Sequence, residues 1–311
     1  MMEPPPHPIE FGDDATRNLE AILPLALAED LAQVGDITSA ATIPSQARGA
    51  ARLVARSPGV LAGLPVATRL AVEFELRDGW QPLLADGDRL EPGAVVARLA
   101  GPMRSLLAFE RTALNFLQRL SGIATLTARF VAATAGTRAA IYDTRKTTPG
   151  WRALEKYAVR CGGGRNHRFG LHDAVLIKDN HLAWLATASG PAGANPIAAA
   201  VAAARANVPA GTVVEVEVDT IEQLDAALRS GPDIILVDNL GPEGMAEAVR
   251  RRDAANPAIQ LEASGGITLA TVGAIAATGV DRISVGALTH SAPSLDLAMD
   301  YDPEPTPGAA G

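Results

Sequence analysis

The residues best suited to chemistry are crowded into one short stretch. Between Asp143 and His181 lie all three lysines, Lys146, Lys156 and Lys178, and three of the five histidines. Arg145, Arg152, Arg160, Arg165 and Arg168 stand with them, opposed only by Asp143, Glu155, Asp173 and Asp179. The chain as a whole carries formal net charge −8. A local cationic excess within it marks a pocket for a small anion, where low-dielectric walls focus the field. Arginine offers a planar fork to a carboxylate, and lysine a compact point charge. Arg145, Lys146, His167, Arg168 and Lys178 therefore suit a substrate with several carboxylate or phosphate groups.

Other groups nearby read differently. Arg152, Lys156 and Arg160 recur at every fourth position, and such a stripe is expected to be a solvated helix face. CGGGRNHR (161–168) ends that helix with three glycines, as expected of a flexible loop bent over a site. Cys161 is the single cysteine; it has no evident base beside it, so it reads as structural, and no disulfide framework is possible.

Late in the chain come two glycine turns, ASGGI (263–267) and SVGAL (284–288). Either alone is as readily a tight turn. Two in consecutive strand-to-helix loops suit a phosphate site made of freed backbone amides as well as they suit two tight turns. Glu217 and Asp238 end neighbouring apolar runs. A carboxylate at a strand end can cap the next helix, the role expected of Asp219 before Thr220, yet a pair of hard oxygen donors also suits Mg²⁺ beside a polyphosphate. No His/Cys spacing supports zinc.

The elements that must position these groups fall into two halves. The first mixes helices with an antiparallel sheet. TRNLEAILPLALAEDL (16–31) has helical spacing and GDIT (35–38) ends it; strands are expected at ARLVA (51–55) and VEFEL (72–76), and DGDRLEPGAVVARLAG (86–101) reads as two short strands. That last segment resembles the hairpin of biotinyl and lipoyl carriers, but it lacks the lysine that carriers modify. A long helix follows from Met103 to about Leu120, burying Leu106, Phe109, Ala113, Phe116, Leu117 and Leu120, with Arg104 and Arg111 off the stripe as solvated residues. From about Ala139, six short apolar runs alternate with helical stretches. These imply parallel strands with crossover helices, in either an open doubly wound sheet or a (β/α) barrel. In a barrel, Arg145, Lys146, Lys178, Glu217, Asp238, Ser264 and Gly286 would meet at the mouth formed by the strand C-termini.

Composition sets the bounds. The 311 residues, 48% hydrophobic, bury a substantial core, and with aromatics at 4% that core is mainly aliphatic. No apolar run approaches the about 18 to 20 residues of a membrane span, and the N-terminus lacks a secretory pattern, so the cytoplasm is the expected compartment. The acidic balance argues against nucleic-acid binding.

DTRKTTPGWRALEKYAVRCGGGRNHRFGLHDAVLIKDNH resembles quinolinate phosphoribosyltransferase, as do LAEDLAQVGDITS, GVLAGLPVA, ERTALNFLQRLSGIAT, EVEVDT, LVDN, LEASGGI and SVGALTH. The resemblance implies an α/β fold: an N-terminal α/β sandwich domain over 1–125, with 291–311 a candidate to pack back on it, and an incomplete (β/α) TIM-like barrel over 126–290. It implies a homodimer, or a larger assembly, with shared active sites. The implied reaction joins quinolinate to phosphoribosyl pyrophosphate and releases CO₂ and pyrophosphate. By the same resemblance Arg145, His167, Arg168 and Lys178 hold quinolinate, with Arg111 supplied by the neighbouring subunit, and Thr144 is a further substrate-binding residue. Lys146 meets phosphate oxygens, Glu217 and Asp238 hold Mg²⁺, and Ser264, Gly265, Gly266, Gly286 and His290 seat the 5′-phosphate. Lys146, Lys178, Glu217 and Asp238 are the implied catalytic set. Two departures are a loop-like insertion, ATASGPAGANP (186–196), and Gln33-Val34 before GDIT. Rival readings are another phosphoribosyltransferase of this architecture, a phosphosugar isomerase or Schiff-base aldolase, and a noncatalytic binding protein.

Overall fold

The structure, a computed structural model, describes residues 9–188 and 195–302. Most of the expected insertion at 186–196, and the tail beyond residue 302, lie outside the described residues. The chain opens with α1 (Asp13–Leu31) and α2 (Ile37–Thr42). GDIT ends the first and starts the second: Gly35 takes φ +77°, and the Asp36 carboxylate accepts from Ser39 N at 3.0 Å. Next come β1 (Arg48–Ala55), β2 (Gly59–Val60), α3 (Leu64–Glu73), β3 (Gln81–Pro82), β4 (Arg89–Leu90) and β5 (Val95–Pro102).

Two expectations fail here. VEFEL is the end of α3 and the turn after it. Leu64, Ala67, Leu70, Ala71 and Phe74 are buried at helical spacing, and Asp86 accepts from Gly63 N and Leu64 N at 2.8 and 3.1 Å, fixing where the helix starts. That helical burial overrides the local alternation of Val72 to Leu76. Nor do β4 and β5 form a carrier-like hairpin, because β4 pairs with β2 while β5 pairs with β1 and β3.

The long helix α4 (Met103–Ala133) passes its expected end near Leu120 because Ile123, Ala124, Thr127 and Phe130 extend the buried stripe. Gly122 is needed within it: a Cβ there would lie 2.1 Å from Pro293 O. Arg104 is not merely solvated, since its guanidinium donates to Ala40 O and Ile43 O at the end of α2. The remaining elements are β6 (Ala140–Tyr142), α5 (Arg152–Cys161), β7 (Val175–Ile177), α6 (Asp179–Ala188), α7 (Pro196–Asn207), β8 (Val214–Val218), α8 (Ile221–Ser230), β9 (Ile234–Asp238), α9 (Pro242–Ala255), β10 (Gln260–Ser264), α10 (Val272–Ala276), β11 (Arg282–Ser284), α11 (Ala287–His290) and β12 (Leu297–Asp302).

Two units result. The first takes in the described residues up to Ala128, then Thr147–Gly163 and the stretch from Leu288. Its antiparallel sheet has the order β12-β1-β5-β3, so the last described strand lies beside β1. Segment 147–163, which the sequence division sets within 126–290, packs here: Tyr157 Oη donates to Asp86 Oδ2 at 2.6 Å, Phe11 meets the Tyr157 ring edge-on, and fully buried Glu155 accepts from Arg119 and from Thr148 N. Helix α5 has little free face left. Lys156 is 2% exposed, so the solvated stripe expected there is not one. The buried Cys161 thiol has its pKa raised, first by burial, in keeping with a structural role.

The second unit is Arg129–Lys146 and Gly164–Ala287. Six strands form an all-parallel sheet in the order β6-β11-β10-β9-β8-β7, each followed by helix or loop. This is a (β/α) barrel left open between β6 and β7. Arg165 occupies the free edge of β6, donating to Ile141 O at 2.8 Å and accepting from Asp143 N at 3.1 Å. CGGGRNHR is thus fastened rather than free. Gly162 serves close packing, since a Cβ there would lie 2.3 Å from Ala124 O.

Candidate active site

Parallel strands bring their C-terminal ends to one edge, and alternation decides which side chains share a face. On β8 the buried Val214, Val216 and Val218 face one way and Glu215 and Glu217 the other. In register with them, Asp238 on β9 is level with Ser264 on β10, and Glu262 is level with Arg282 on β11. Each of three strands therefore carries a charged residue two positions before, and beneath, a polar residue at the mouth: Glu215 under Glu217, Glu262 under Ser264, Arg282 under Ser284. The fill of this open barrel is ionic where bulky aliphatic layers are usual.

At the mouth, Lys178 at the end of β7 forms an ion pair with Glu217. Asp238 lies within electrostatic reach of Glu217, Lys178, Lys146 and Asp219; burial and then the Glu217 charge raise its pKa, while the two lysines oppose that shift. Asn239 Nδ2 donates to Asp238 Oδ2 at 2.6 Å. Gly265, at φ +86°, runs so close to this pair that a Cβ would lie 2.2 Å from Asn239 Oδ1 and 2.8 Å from Asp238 Oδ1. Gly266, at φ +58°, faces open space. The carboxylates of Glu217 and Asp238 repel one another and are hard oxygen donors, so their chemistry fits a divalent cation between them. Asp219 does not cap α8. Thr220 does, accepting from Gln223 N at 3.2 Å, while Gln223 Oε1 accepts from Asp219 N.

Deeper, His167 meets a second group. Its side chain is 8% exposed; Nε2 lies 3.0 Å from Glu215 Oε2 and 3.4 Å from Glu262 Oε1. Arg282 donates to Glu262 Oε2 at 2.6 Å and stacks on the Tyr142 ring, its Cζ 3.8 Å from the centroid. His167 N donates to Asp143 Oδ1 at 2.9 Å, and Asn166 Nδ2 to Asp143 Oδ2 at 2.6 Å. Burial disfavours charge on the ring, but hydrogen bonds and charge from Glu215 and Glu262 outweigh it and raise its pKa to about 9. Arg168 N lies 2.8 Å from Nδ1, a contact that belongs to the neutral ring and competes with the second proton. We take the ring as charged at neutral pH, because two carboxylates outweigh one amide dipole. Arg168 donates to Ala174 O at 3.1 Å; burial, then the nearby Arg145 charge, lowers its pKa. Asp173 shapes the adjoining loop by accepting from Phe169 N and Gly170 N at 2.5 and 2.8 Å.

Of the residues singled out in the sequence, Thr144, Arg145, Lys146, His167, Arg168, Lys178, Glu217, Asp238, Ser264, Gly265, Gly266 and Gly286 all belong to the second unit. Arg111 and His290 belong to the first and are exposed, with His290 Nδ1 2.6 Å from Ser291 Oγ. Glu215, Glu262 and Arg282 were not singled out, although the pattern charged-x-polar on three buried strands signals them.

Residues 36–121 match the N-terminal domain of quinolinate phosphoribosyl transferase, and residues 123–300 its C-terminal domain. This chain belongs to the quinolinate phosphoribosyltransferase family. Within the family, the nicotinate-nucleotide pyrophosphorylase [carboxylating] of Mycobacterium leprae is 46% identical over 277 residues, 88% of this chain and 94% of that protein. The quinolinate phosphoribosyltransferase [decarboxylating] 1 of Nicotiana glauca is 38% identical over 318 residues, 98% of this chain and 86% of that one. The crystal structure of NadC from Streptococcus pyogenes superposes with a TM-score of 0.84 at 40% identity, covering 93% of this chain and 98% of that one. The family match settles the choice left open by strand-helix alternation in favour of the barrel. No helix among the described residues is long and apolar enough to cross a membrane.

Proposed function

We infer that this enzyme transfers the phosphoribosyl group of phosphoribosyl pyrophosphate to quinolinate with loss of CO₂, giving nicotinate mononucleotide and pyrophosphate. In this reaction the pyridine nitrogen forms a bond to the ribose carbon as the bond to pyrophosphate breaks; the ribosylated ring then loses CO₂, and its positive nitrogen stabilises the electron pair left behind until a proton replaces it. No electron-sink cofactor is needed. The observation that carries the residue assignment is the mixed-charge set Lys146, Lys178, Glu217 and Asp238 at the strand ends, within reach of one another.

The roles follow from charge. Arg145, Arg168 and Lys178, with Thr144 and His167, hold the dicarboxylate, and Arg111 joins them from the partner of a homodimer. Lys146 binds pyrophosphate oxygens. Glu217 and Asp238 would hold Mg²⁺, which when bound offsets pyrophosphate charge; their own negative charge favours the cationic ribose as the leaving group departs. Ser264, Gly265, Gly266, Gly286 and His290 seat the 5′-phosphate, the positive φ at Gly265 and Gly266 being the backbone conformation of anion-binding turns. Lys178 pairs with Glu217, so a substrate carboxylate and Glu217 would share its charge. The catalytic part is the barrel unit, Arg129–Lys146 and Gly164–Ala287, the other unit serves the neighbouring subunit, and the working compartment is the cytoplasm.

The test is pyrophosphate release by the purified protein with quinolinate, phosphoribosyl pyrophosphate and Mg²⁺. Release that requires all three supports the reading. Release with nicotinate but not quinolinate would overturn it.

A further inference from the structure

Below the mouth the mechanism above uses His167 alone, yet the structure places three further charged side chains beside it, Glu215, Glu262 and Arg282. Glu215 is 2% exposed and Glu262 0%. With Arg282 and His167 they set two carboxyl groups against a guanidinium and an imidazole in a low-dielectric interior, where burial raises the Glu215 pKa and the His167 hydrogen bond opposes that shift. Such groups are costly to bury unless their geometry is good, so the arrangement needs a reason. It lies in what the ring of His167 is attached to. Nε2 bears a hydrogen in both the neutral ring with its proton there and the imidazolium, so its bond to Glu215 Oε2 persists in either state, with Glu262 Oε1 3.4 Å away on the other side. The main chain on the same residue is held by Asp143, and Arg168 is the next residue.

We propose that Glu215 and Glu262 are positioning residues for the dicarboxylate half of the active site, holding the His167 ring by Nε2 and through it the His167-Arg168 stretch. This rests on the function proposed above. The three donor groups lie close enough, within 4.8 Å of one another, to hold a cation. Arg282 already places positive charge against Glu262, and Nε2–H meets Glu215 Oε2 at 3.0 Å, so a hydrogen bond accounts for the contact without an ion. Among the described residues Glu215 Oε1 and Glu262 Oε1 have no hydrogen-bond partner, so the Nε2 contact at Oε2 is what anchors the Glu215 carboxylate.

Four variants and one measurement on the unaltered protein test this. Glu215→Gln should raise KM for quinolinate by about 10-fold, the usual weight of a charge-assisted hydrogen bond, with KM for phosphoribosyl pyrophosphate changed by less than about 2-fold. Glu215→Asp keeps the charge but falls short of the ring, so it should share the defect. In His167→Asn protein, adding Glu215→Gln should do no further harm. Equal rises in both KM values, rescue by Glu215→Asp, or multiplying effects in the double variant would each overturn the proposal. The wild-type measurement needs no variant and no turnover: ¹⁵N-edited NMR should show a slowly exchanging Nε2 proton on His167. A fast-exchanging one would overturn the clamp even if variants fail to fold. If wild-type protein does not consume quinolinate, the functional reading fails, while the NMR result still decides the clamp.

Discussion

Gly265→Ala isolates how closely the late glycine turn is built against the carboxylates. The residue sits at φ +86°, where a side chain costs about 1–2 kcal/mol. The added Cβ would stand 2.2 Å from Asn239 Oδ1 and 2.8 Å from Asp238 Oδ1, so both side chains must move. Moving Asn239 breaks its 2.6 Å bond to Asp238, worth about 1 kcal/mol. The destabilisation expected is therefore about 2–3 kcal/mol, and displacement of Asp238 by the order of 1 Å should lower turnover by about 100-fold. Gly93→Ala is the control: φ there is +88° with nothing within 4 Å of the added Cβ, so it carries the backbone strain alone. Urea unfolding gives the stability difference and pyrophosphate release the turnover. If Gly265→Ala matches Gly93→Ala in stability and keeps wild-type turnover, Asp238 is not held as described and its assigned role falls with it.

Further expectations can be checked with the same assays. Arg168→Ala should weaken quinolinate by about 10- to 100-fold, as for a lost charged contact, and leave phosphoribosyl pyrophosphate nearly untouched; equal loss for both would contradict its assignment. Asp238→Asn should raise the Mg²⁺ concentration needed for half-maximal activity, and an unchanged Mg²⁺ dependence would exclude it as a ligand. Mixing Arg111→Ala with Lys178→Ala should restore part of the activity, because a hybrid dimer assembles one intact site; verified hybrids with none would refute sharing. For His167, the folded pKa of about 9 lies above the unfolded value near 6.5. Its stabilising contribution should be complete below pH 6.5 and disappear as pH rises through about 9. The gap in unfolding free energy between wild type and His167→Gln should narrow over that window, and a gap that widens would reverse the assignment.

Much of the barrel was legible because each buried strand is a short apolar run closed by polar residues, and the helices between them carry their own caps and breaks. The cationic stretch from Arg145 to Lys178 announced an anion site in an acidic chain, and the family resemblance named the substrates. Local pattern misled where burial from elsewhere decided the outcome. VEFEL alternates like a strand, but Asp86 starts a helix upstream of it. Lys156 looks like part of a solvated stripe until α5 is covered on nearly every side. The three glycines after Cys161 suggest freedom, whereas Arg165 is bonded to the edge of β6.

Residue types, spacing and charge along the chain determined that parallel strands would end in lysine, arginine and carboxylate. Only tertiary structure decided that Glu215, Glu262 and Arg282 would converge on His167, since these residues are 20 or more positions apart except where a strand brings them level. The physical reason is that periodicity fixes which face a side chain occupies, but the distance between two charges on different strands is set by sheet register and by the residues that hold the open edge.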